Sequence, residues 1–161
     1  VTDYLKKYGV AIKTIDVKPE YQPDILGSVF AMPVADSSFD MIVICEVLEH
    51  YPFLDFPKAL AELRRVTKKT ILLSLPDARR ILFRMSIKPP FIKEVRFALR
   101  IPTFKTHVCD NPGGHQWEIG KRGFSSARVR EAIGRAGFTI REEQVPYDTP
   151  KNHYFLLEKE I

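Results

Sequence analysis

The stretch Asp36–His50 constrains the fold more strongly than any other part of the chain. Its apolar run, Met41–Cys45, is short, holds three β-branched residues and follows Asp and Ser residues that are typical of a turn. This pattern predicts a strand buried on both faces, and such strands belong to parallel sheets covered by helices. The run ends in Glu46, Glu49 and His50, and open α/β sheets bind ligands just outside the carboxyl ends of their strands. These polar residues are therefore candidates for a site, although the two glutamates would also suit the positive end of a following helix.

Helical and strand patterns alternate along the rest of the chain. The apolar residues of Phe56–Val66 fall on one helical face behind Asp55, a candidate cap, and Thr70–Leu75 is again a buried strand. The other predicted elements are a helix over Thr2–Tyr8, strands over Val10–Ile15 and Asp24–Phe30, a helix from Ser125 or Ser126 to Ala136, and strands over Phe138–Val145 and His153–Lys159. The connection Pro146–Asn152 is too short for a crossover helix, so the last two strands should pair antiparallel. The alternation predicts a doubly wound, mostly parallel sheet.

Composition limits the class of protein. The 161 residues are 45% apolar and 28% charged, as expected of one soluble globular domain, and no apolar run approaches the length of a membrane span. Cys45 lies in the predicted core strand, far from Cys109, so no disulfide framework is expected and the cytoplasm is the predicted compartment. The net charge of +5 permits contact with phosphates or anionic lipid without requiring it.

The segment Ala78–Phe104 interleaves basic and apolar residues around a single acid, Glu94. Pro89-Pro90 divides it into two predicted helices. A basic amphipathic stretch such as 79–105 can lie on an anionic lipid surface or bind an anionic substrate. It can equally be an ordinary helix pair with a solvated basic face, and this second interpretation is favoured because core-facing helices show the same pattern. Nucleic acid is not the expected partner, because the stretch contains no recognised RNA-binding module.

The segment Thr106–Gly123 has the composition of an irregular loop, with its tightest turn at Asn111–Gly114. Loops that carry polar and aromatic residues are often where substrates are held. His107, Cys109 and His115 are residue types that bind zinc, but their spacing matches no zinc signature. No metal is therefore predicted.

Asp16 follows a helix, a glycine and a strand in the order seen in dinucleotide-binding units, where an acid at the end of the second strand accepts both ribose hydroxyls. Taken alone, Asp16 is explained as well by a turn helped by Pro19.

Together these residues resemble class I S-adenosylmethionine-dependent methyltransferases of the small-molecule-type branch. The resemblance is carried by Gly27–Asp40, Cys45–His50, Ala61–Lys68, Leu73–Asp77 and His115–Gly120. It implies a Rossmann-like, doubly wound, mostly parallel sheet with an antiparallel C-terminal strand pair, in a three-layer sandwich. It also implies one methyltransferase-like domain over 1–161, in which 78–123 form a substrate-side helical and loop insertion. The family's first strand and glycine-rich loop would precede Thr2, so we expect a chain truncated at the N-terminus, unless the remaining strands close the gap or a second copy fills it as a homodimer.

The resemblance implies S-adenosyl-L-methionine as the cofactor. The carboxylate of Asp16 would take the ribose diol in a bidentate way, and Ser28 would help to read the adenine edge. The implied cofactor contacts are Asp16, Ser28, Val29, Phe30, Cys45, Glu46 and Val47.

Methyl transfer is an in-line displacement at a sulfonium, so positioning supplies much of the rate, and a general base helps when the acceptor is a hydroxyl or a neutral amine. The predicted bases are His50, His115 and Glu118. His107 and Trp117 are predicted to contact the acceptor, which is expected to be a small molecule or a compound of lipid or sugar type. Two alternatives stay open. One is a catalytically dead methyltransferase-fold module that serves in binding or assembly, and the other is an RNA-binding methyltransferase.

Overall fold

The computed structural model describes residues 2–91, 93–103, 105–109, 111 and 113–160, without the side chain of Asp3. In chain order the elements are α1 (Thr2–Lys7), β1 (Ile15–Asp16), β2 (Ile25–Leu26), β3 (Phe39–Cys45), α2 (Phe56–Val66), β4 (Thr67–Pro76), β5 (Arg80–Ile87), β6 (Val95–Ile101), α3 (Ser126–Arg135), β7 (Phe138–Gln144) and β8 (Asn152–Lys159). Short 3-10 turns lie at Pro19–Tyr21, Leu48–His50 and Phe53–Asp55.

Four strands form the main sheet, in the order β3, β4, β8, β7. β3 and β4 run parallel, whereas β8 pairs antiparallel with both β4 and β7. The mixed α/β architecture and the antiparallel C-terminal pair are thus as the sequence predicts. β1 and β2 form a separate parallel pair of two residues each. The strand predicted over Val10–Ile15 is shortened to Ile15–Asp16, because only these residues find a strand partner among the described residues.

The core lies between one face of this sheet and the helices α2 and α3. The apolar stripe of α2 is fully or almost fully buried, with Leu60 and Leu63 at 0% exposure, and each such side chain stabilises the fold by about 2 kcal/mol. Ser125 caps α3 as predicted, since its Oγ accepts a hydrogen bond from Arg128 N at 3.2 Å. Asp55 makes no capping hydrogen bond, and Pro57 in the first turn of α2 helps to start that helix instead.

The opposite face of the sheet is open at β3. Ile44 is buried towards the helices, but Met41 and Val43 are 48% and 62% exposed. β3 is one of the two edge strands that the described residues give the main sheet, and its side chains alternate between the covered face and a face on which no described helix packs. The prediction that Met41–Cys45 is buried on both faces is therefore wrong. Of the three layers expected, the described residues supply two.

The segment predicted as two helices is an antiparallel hairpin of β5 and β6. The helix prediction is wrong because the apolar residues here alternate with a period of two, and Pro89-Pro90 lies in the connection between the strands. Register pairs on one face are Phe83 with Leu99, Met85 with Phe97, and Ile87 with Val95. All six of these side chains are exposed. Ile92 and Phe104, which also fell in the predicted helices, lie outside the described residues.

The other face of the hairpin carries its arginines and meets the loop before β8. The guanidinium groups of Arg84 and Arg96 lie 4.9 and 5.3 Å from the ring centre of Tyr147, and Arg96 also forms ion pairs with Glu94 and Asp148. These arginines are thus engaged with neighbouring groups, and the outward face of the hairpin is apolar.

Both cysteines are exposed and free of disulfides. Within the described ranges, no helix combines the length and the apolar character that crossing a membrane would require.

Candidate cofactor and acceptor site

A loop crosses the carboxyl ends of β3 and β4 and is fixed there by its main chain. Ile119 N donates to Pro76 O at 3.0 Å, and Ala78 N donates to Ile119 O at 2.8 Å. Gln116 N donates to Glu49 O at 2.6 Å. The strand ends and this loop, 113–119, therefore form one surface. It lies at the carboxyl ends of the strands, where open α/β sheets bind ligands.

Trp117 anchors the loop in the core. It is completely buried, with its ring 4.8 Å from that of Phe53 and 5.3 Å from that of Phe56. Its indole N–H donates to Tyr51 O at 3.1 Å. The structure thus places this predicted acceptor contact beneath the loop, where it positions the neighbouring residues.

Glu49 is the centre of the polar cluster on this surface. It is completely buried, and neither carboxylate oxygen has a hydrogen-bond partner among the described residues. Its Oε1 lies 3.8 Å from Nε2 of His50 and 3.8 Å from Nε2 of His115. Burial raises the pKa of Glu49 to about 7, and the nearby charge of Glu46 acts in the same direction. The sequence indicates Glu49 only as a polar strand-end residue and does not reveal this central position.

Both imidazoles are held at their Nδ1 atoms. Nδ1 of His50 donates to Gly113 O at 2.8 Å, and Nδ1 of His115 donates to Oε1 of Glu118 at 2.9 Å. The two side chains are 39% and 34% exposed. The three predicted bases therefore lie together, with Nε2 of both imidazoles 3.8 Å from the Glu49 carboxylate.

His107 contacts the main chain of this cluster. Its Nε2 donates to the backbone oxygen of His115 at 2.6 Å. Cys109 Sγ accepts a hydrogen bond from Gln116 Nε2 at 3.3 Å. His107 thus meets the backbone of His115, and the structure does not gather the three zinc-type residues of the loop into one ligand set.

The chain turns sharply where β3 ends. Glu46 has a φ of +54°, which is uncommon for a residue with a side chain and recurs at ligand-binding and active sites. Its Oε1 accepts from Ser74 Oγ at 2.8 Å, which ties the turn to β4. Cys45 is exposed and Val47 half-buried beside it. The three predicted cofactor contacts at this strand end are thus accessible.

The remaining predicted cofactor residues lie at the end of β1 and in the loop after β2. Asp16 is half-exposed, and its Oδ1 accepts from Lys18 N at 2.8 Å. Gly27 N donates to Asp16 O at 2.9 Å, which sets the following loop beside this carboxylate. Ser28 Oγ accepts from Phe30 N at 3.2 Å.

The loop after β2 also reaches the segment that follows β3. The Phe30 ring meets the Tyr51 ring edge-on at 4.7 Å, and Met32 N donates to Glu62 Oε1 at 2.6 Å. Arg65 donates to the backbone oxygens of Met32 and Val34, both at 2.9 Å. These contacts fix the loop containing Val29 on α2.

Residues 1–74 match a family model described as a methyltransferase domain. The matched range contains Gly27–Asp40 and Cys45–His50, which carry the resemblance stated from the sequence. The resemblance to methyltransferases is thus confirmed over the N-terminal part of the chain.

Solved structures extend the likeness to the whole chain at the level of the fold. The 1,6-didemethyltoxoflavin-N1-methyltransferase of Burkholderia thailandensis, solved with 1,6-didemethyltoxoflavin and S-adenosylhomocysteine, is 14% identical, with a TM-score of 0.63 over 99% of this chain and 66% of its own. A Pyrococcus horikoshii protein is 15% identical, with a TM-score of 0.60 over 99% of this chain and 76% of its own. An S-adenosylmethionine-dependent methyltransferase of Mesorhizobium loti is 10% identical, with a TM-score of 0.55 over 90% and 78%.

At these identities the similarity shows the fold, and this chain spans just under two thirds of the length of the Burkholderia enzyme. No curated protein has a significantly similar sequence.

Proposed function

We propose that this chain is a methyltransferase domain that binds S-adenosylmethionine and transfers its methyl group to a small-molecule acceptor. One observation carries the proposal. The range that matches the methyltransferase domain, 1–74, contains Asp16, Ser28–Phe30 and Cys45–Val47, and the first and last of these lie at the carboxyl ends of parallel strands. In α/β proteins this is where ligands bind.

The donor set at these positions fits the cofactor. The half-exposed carboxylate of Asp16 can accept two hydrogen bonds from a ribose diol while Lys18 N holds its orientation. Ser28 and the backbone of Val29 present polar groups for an adenine edge, and Phe30 presents an apolar ring. When bound, S-adenosylmethionine supplies a methyl group on a positively charged sulfur.

The histidine cluster suits the acceptor side of the reaction. Glu118 holds His115 through Nδ1, so Nε2 is left to accept a proton from a hydroxyl or amine, as in other carboxylate–histidine pairs. His50 offers a second Nε2 on the same side of Glu49. The partial exposure of both rings lets an acceptor approach them from solvent.

Binding of S-adenosylhomocysteine tests the cofactor assignment. We expect calorimetric titration to show micromolar binding to the wild-type chain and binding at least about tenfold weaker to Asp16→Ala, because charge-assisted hydrogen bonds contribute about 1.5–3 kcal/mol.

Asp40→Ala is the matched control. Asp40 is an exposed aspartate at the amino end of β3, paired with Lys68, and we expect its replacement to leave binding unchanged. If the wild-type chain does not bind S-adenosylhomocysteine, the proposal fails for this chain and a binding or assembly module is the better explanation.

A further inference from the structure

We propose that Glu49, His50 and His115 bind a divalent transition-metal ion. One ligand atom from each residue lies within 4.8 Å of the others. The two contributing segments are far apart in sequence, at 49–50 and 115. They meet because the loop 113–119 is hydrogen-bonded to Pro76 at the end of β4 and to Glu49 in the turn after β3.

The burial of Glu49 is the first argument. Its side chain has no exposed surface, and both oxygens are unpartnered within the described part of the chain. An unpaired buried carboxylate costs several kcal/mol, so buried charges are ordinarily paired or coordinate metals. The atoms that face Oε1 are two imidazole nitrogens at 3.8 Å. A cation between these three groups would offset the cost of burying the carboxylate.

The orientation of the imidazoles is the second, independent argument. Histidines that bind metals usually donate the N–H of the other ring nitrogen to a carboxylate or a backbone carbonyl, which fixes the tautomer. Here His115 donates to the carboxylate of Glu118 and His50 to the carbonyl of Gly113. Both arrangements leave Nε2 as the nitrogen that would bind the ion.

The ligand types and spacing indicate which ions fit. Two imidazoles with one carboxylate suit zinc and other divalent transition metals better than magnesium or calcium. Ligand atoms at about 2.1 Å from a tetrahedral zinc ion lie about 3.4 Å apart. The two 3.8 Å separations from Glu49 Oε1 are close to this value, and the three ligand atoms, all within 4.8 Å of one another, need shifts of at most about 1.5 Å to close around the ion.

Three protein ligands leave coordination positions open. Catalytic zinc sites have this composition, with water or substrate completing the coordination shell. Because both imidazoles are partly exposed, an oxygen atom of an acceptor could reach an ion bound there from solvent. This role towards an acceptor rests on the proposed function, whereas metal binding itself does not depend on methyl transfer. An ion bound there would replace His115 Nε2 as the group that acts on the acceptor.

Calorimetric titration with Zn²⁺ alone, on chain freed of metal by a chelator, tests the site. We expect one ion per chain, with binding weakened at least about tenfold in both Glu49→Gln and His115→Gln. Cys109→Ala and Glu131→Gln are matched controls, because Cys109 is an exposed thiol outside the cluster and Glu131 an exposed carboxylate paired with Arg135. We expect both controls to bind as the wild type does.

Thermal unfolding separates metal binding from misfolding. Zn²⁺ should raise the Tm of the wild type and of both controls, since a ligand that binds only the folded state stabilises it, and should not raise that of Glu49→Gln. Without metal, Glu49→Gln should unfold at or above the wild-type temperature, because a buried charge is removed. Absence of Zn²⁺ binding in the wild type, or equal binding in Glu49→Gln, would overturn the proposal.

A further titration measures the binding of S-adenosylhomocysteine to Glu49→Gln without metal. It distinguishes a failure of the metal site from a failure of the cofactor assignment. We expect this binding to equal that of the wild type, so that the loss of one site is visible while the other is intact.

Discussion

Replacing Trp117 with alanine is expected to lower the free energy of unfolding by about 4 kcal/mol. The side chain is completely buried against Phe53, Phe56 and Phe124, and its N–H bonds to Tyr51 O. The replacement removes the largest of the fully buried side chains in the described structure and leaves a cavity that rigid neighbours cannot close. Urea denaturation followed by circular dichroism measures the change.

Two further variants test the explanation. Trp117→Phe keeps a ring but loses the hydrogen bond, and we expect a loss of about 1–2 kcal/mol. Leu54→Ala removes a neighbouring apolar side chain that is 86% exposed, and we expect a change within about 0.5 kcal/mol. A loss below about 1 kcal/mol in Trp117→Ala would show that the loop is not anchored through this residue.

Asp77→Ala is the second substitution with a large expected effect, a loss of about 3 kcal/mol. The Asp77 carboxylate is buried at the end of β4, accepts from Nε of Arg79 at 2.9 Å, and lies 3.3 Å from Nδ1 of His153. Nε2 of His153 lies 2.6 Å from Oε1 of Glu143. Removing the carboxylate leaves the half-buried Arg79 without its counter-charge and the buried Nδ1 of His153 without its carboxylate partner. The measurement is again urea denaturation at neutral pH.

The stability that Asp77 contributes should also depend on pH. Burial, the largest single influence, raises the pKa of this carboxyl, but the hydrogen bonds from His153 and Arg79 outweigh it and lower the pKa to about 2. Because the folded pKa is below the unfolded value of about 3.9, the contribution is complete above that value and is lost as the pH falls towards 2.

The difference in unfolding free energy between the wild type and Asp77→Ala should therefore shrink by up to about 2.5 kcal/mol over this acid range. Asp148→Ala, which removes an exposed partner of Arg96, serves as the control and should change stability by less than about 1 kcal/mol at any pH. A difference that stays constant with pH would contradict the assignment.

Elements with a single clear periodicity were predictable from the sequence. The bounds Phe56–Val66 of α2 are as predicted, and β3 (Phe39–Cys45) contains the predicted run Met41–Cys45, because one apolar stripe or one short β-branched run favours a single type of element. Two helices are predicted in place of the hairpin of β5 and β6, because Pro89-Pro90 can separate two helices as well as two strands. The alternation of Phe83, Met85 and Ile87 was the signal that could have corrected this.

The positions that residues take relative to distant parts of the chain were not predictable from the sequence. A buried strand and an edge strand have similar composition, so nothing local shows that Met41 and Val43 are exposed. Strand-end chemistry indicated Glu46 and His50 as site residues. The contact between Glu49 and His115, by contrast, depends on the path of a loop that no local pattern specifies. For the same reason an aromatic residue of the loop, Trp117, resembled a substrate contact although it lies in the core.

The attachment of loop 113–119 has a consequence for how this surface can diversify. Its bonds to Glu49 O and Pro76 O, and from Ala78 N, all use backbone atoms of the loop, and backbone groups are present whatever side chain a residue carries. Exchanging His115 or Glu118 for other residues thus alters the chemistry presented to an incoming molecule while the loop keeps its place. If the proposed function holds, the strand ends therefore provide a fixed support on which acceptor preference can be changed one residue at a time.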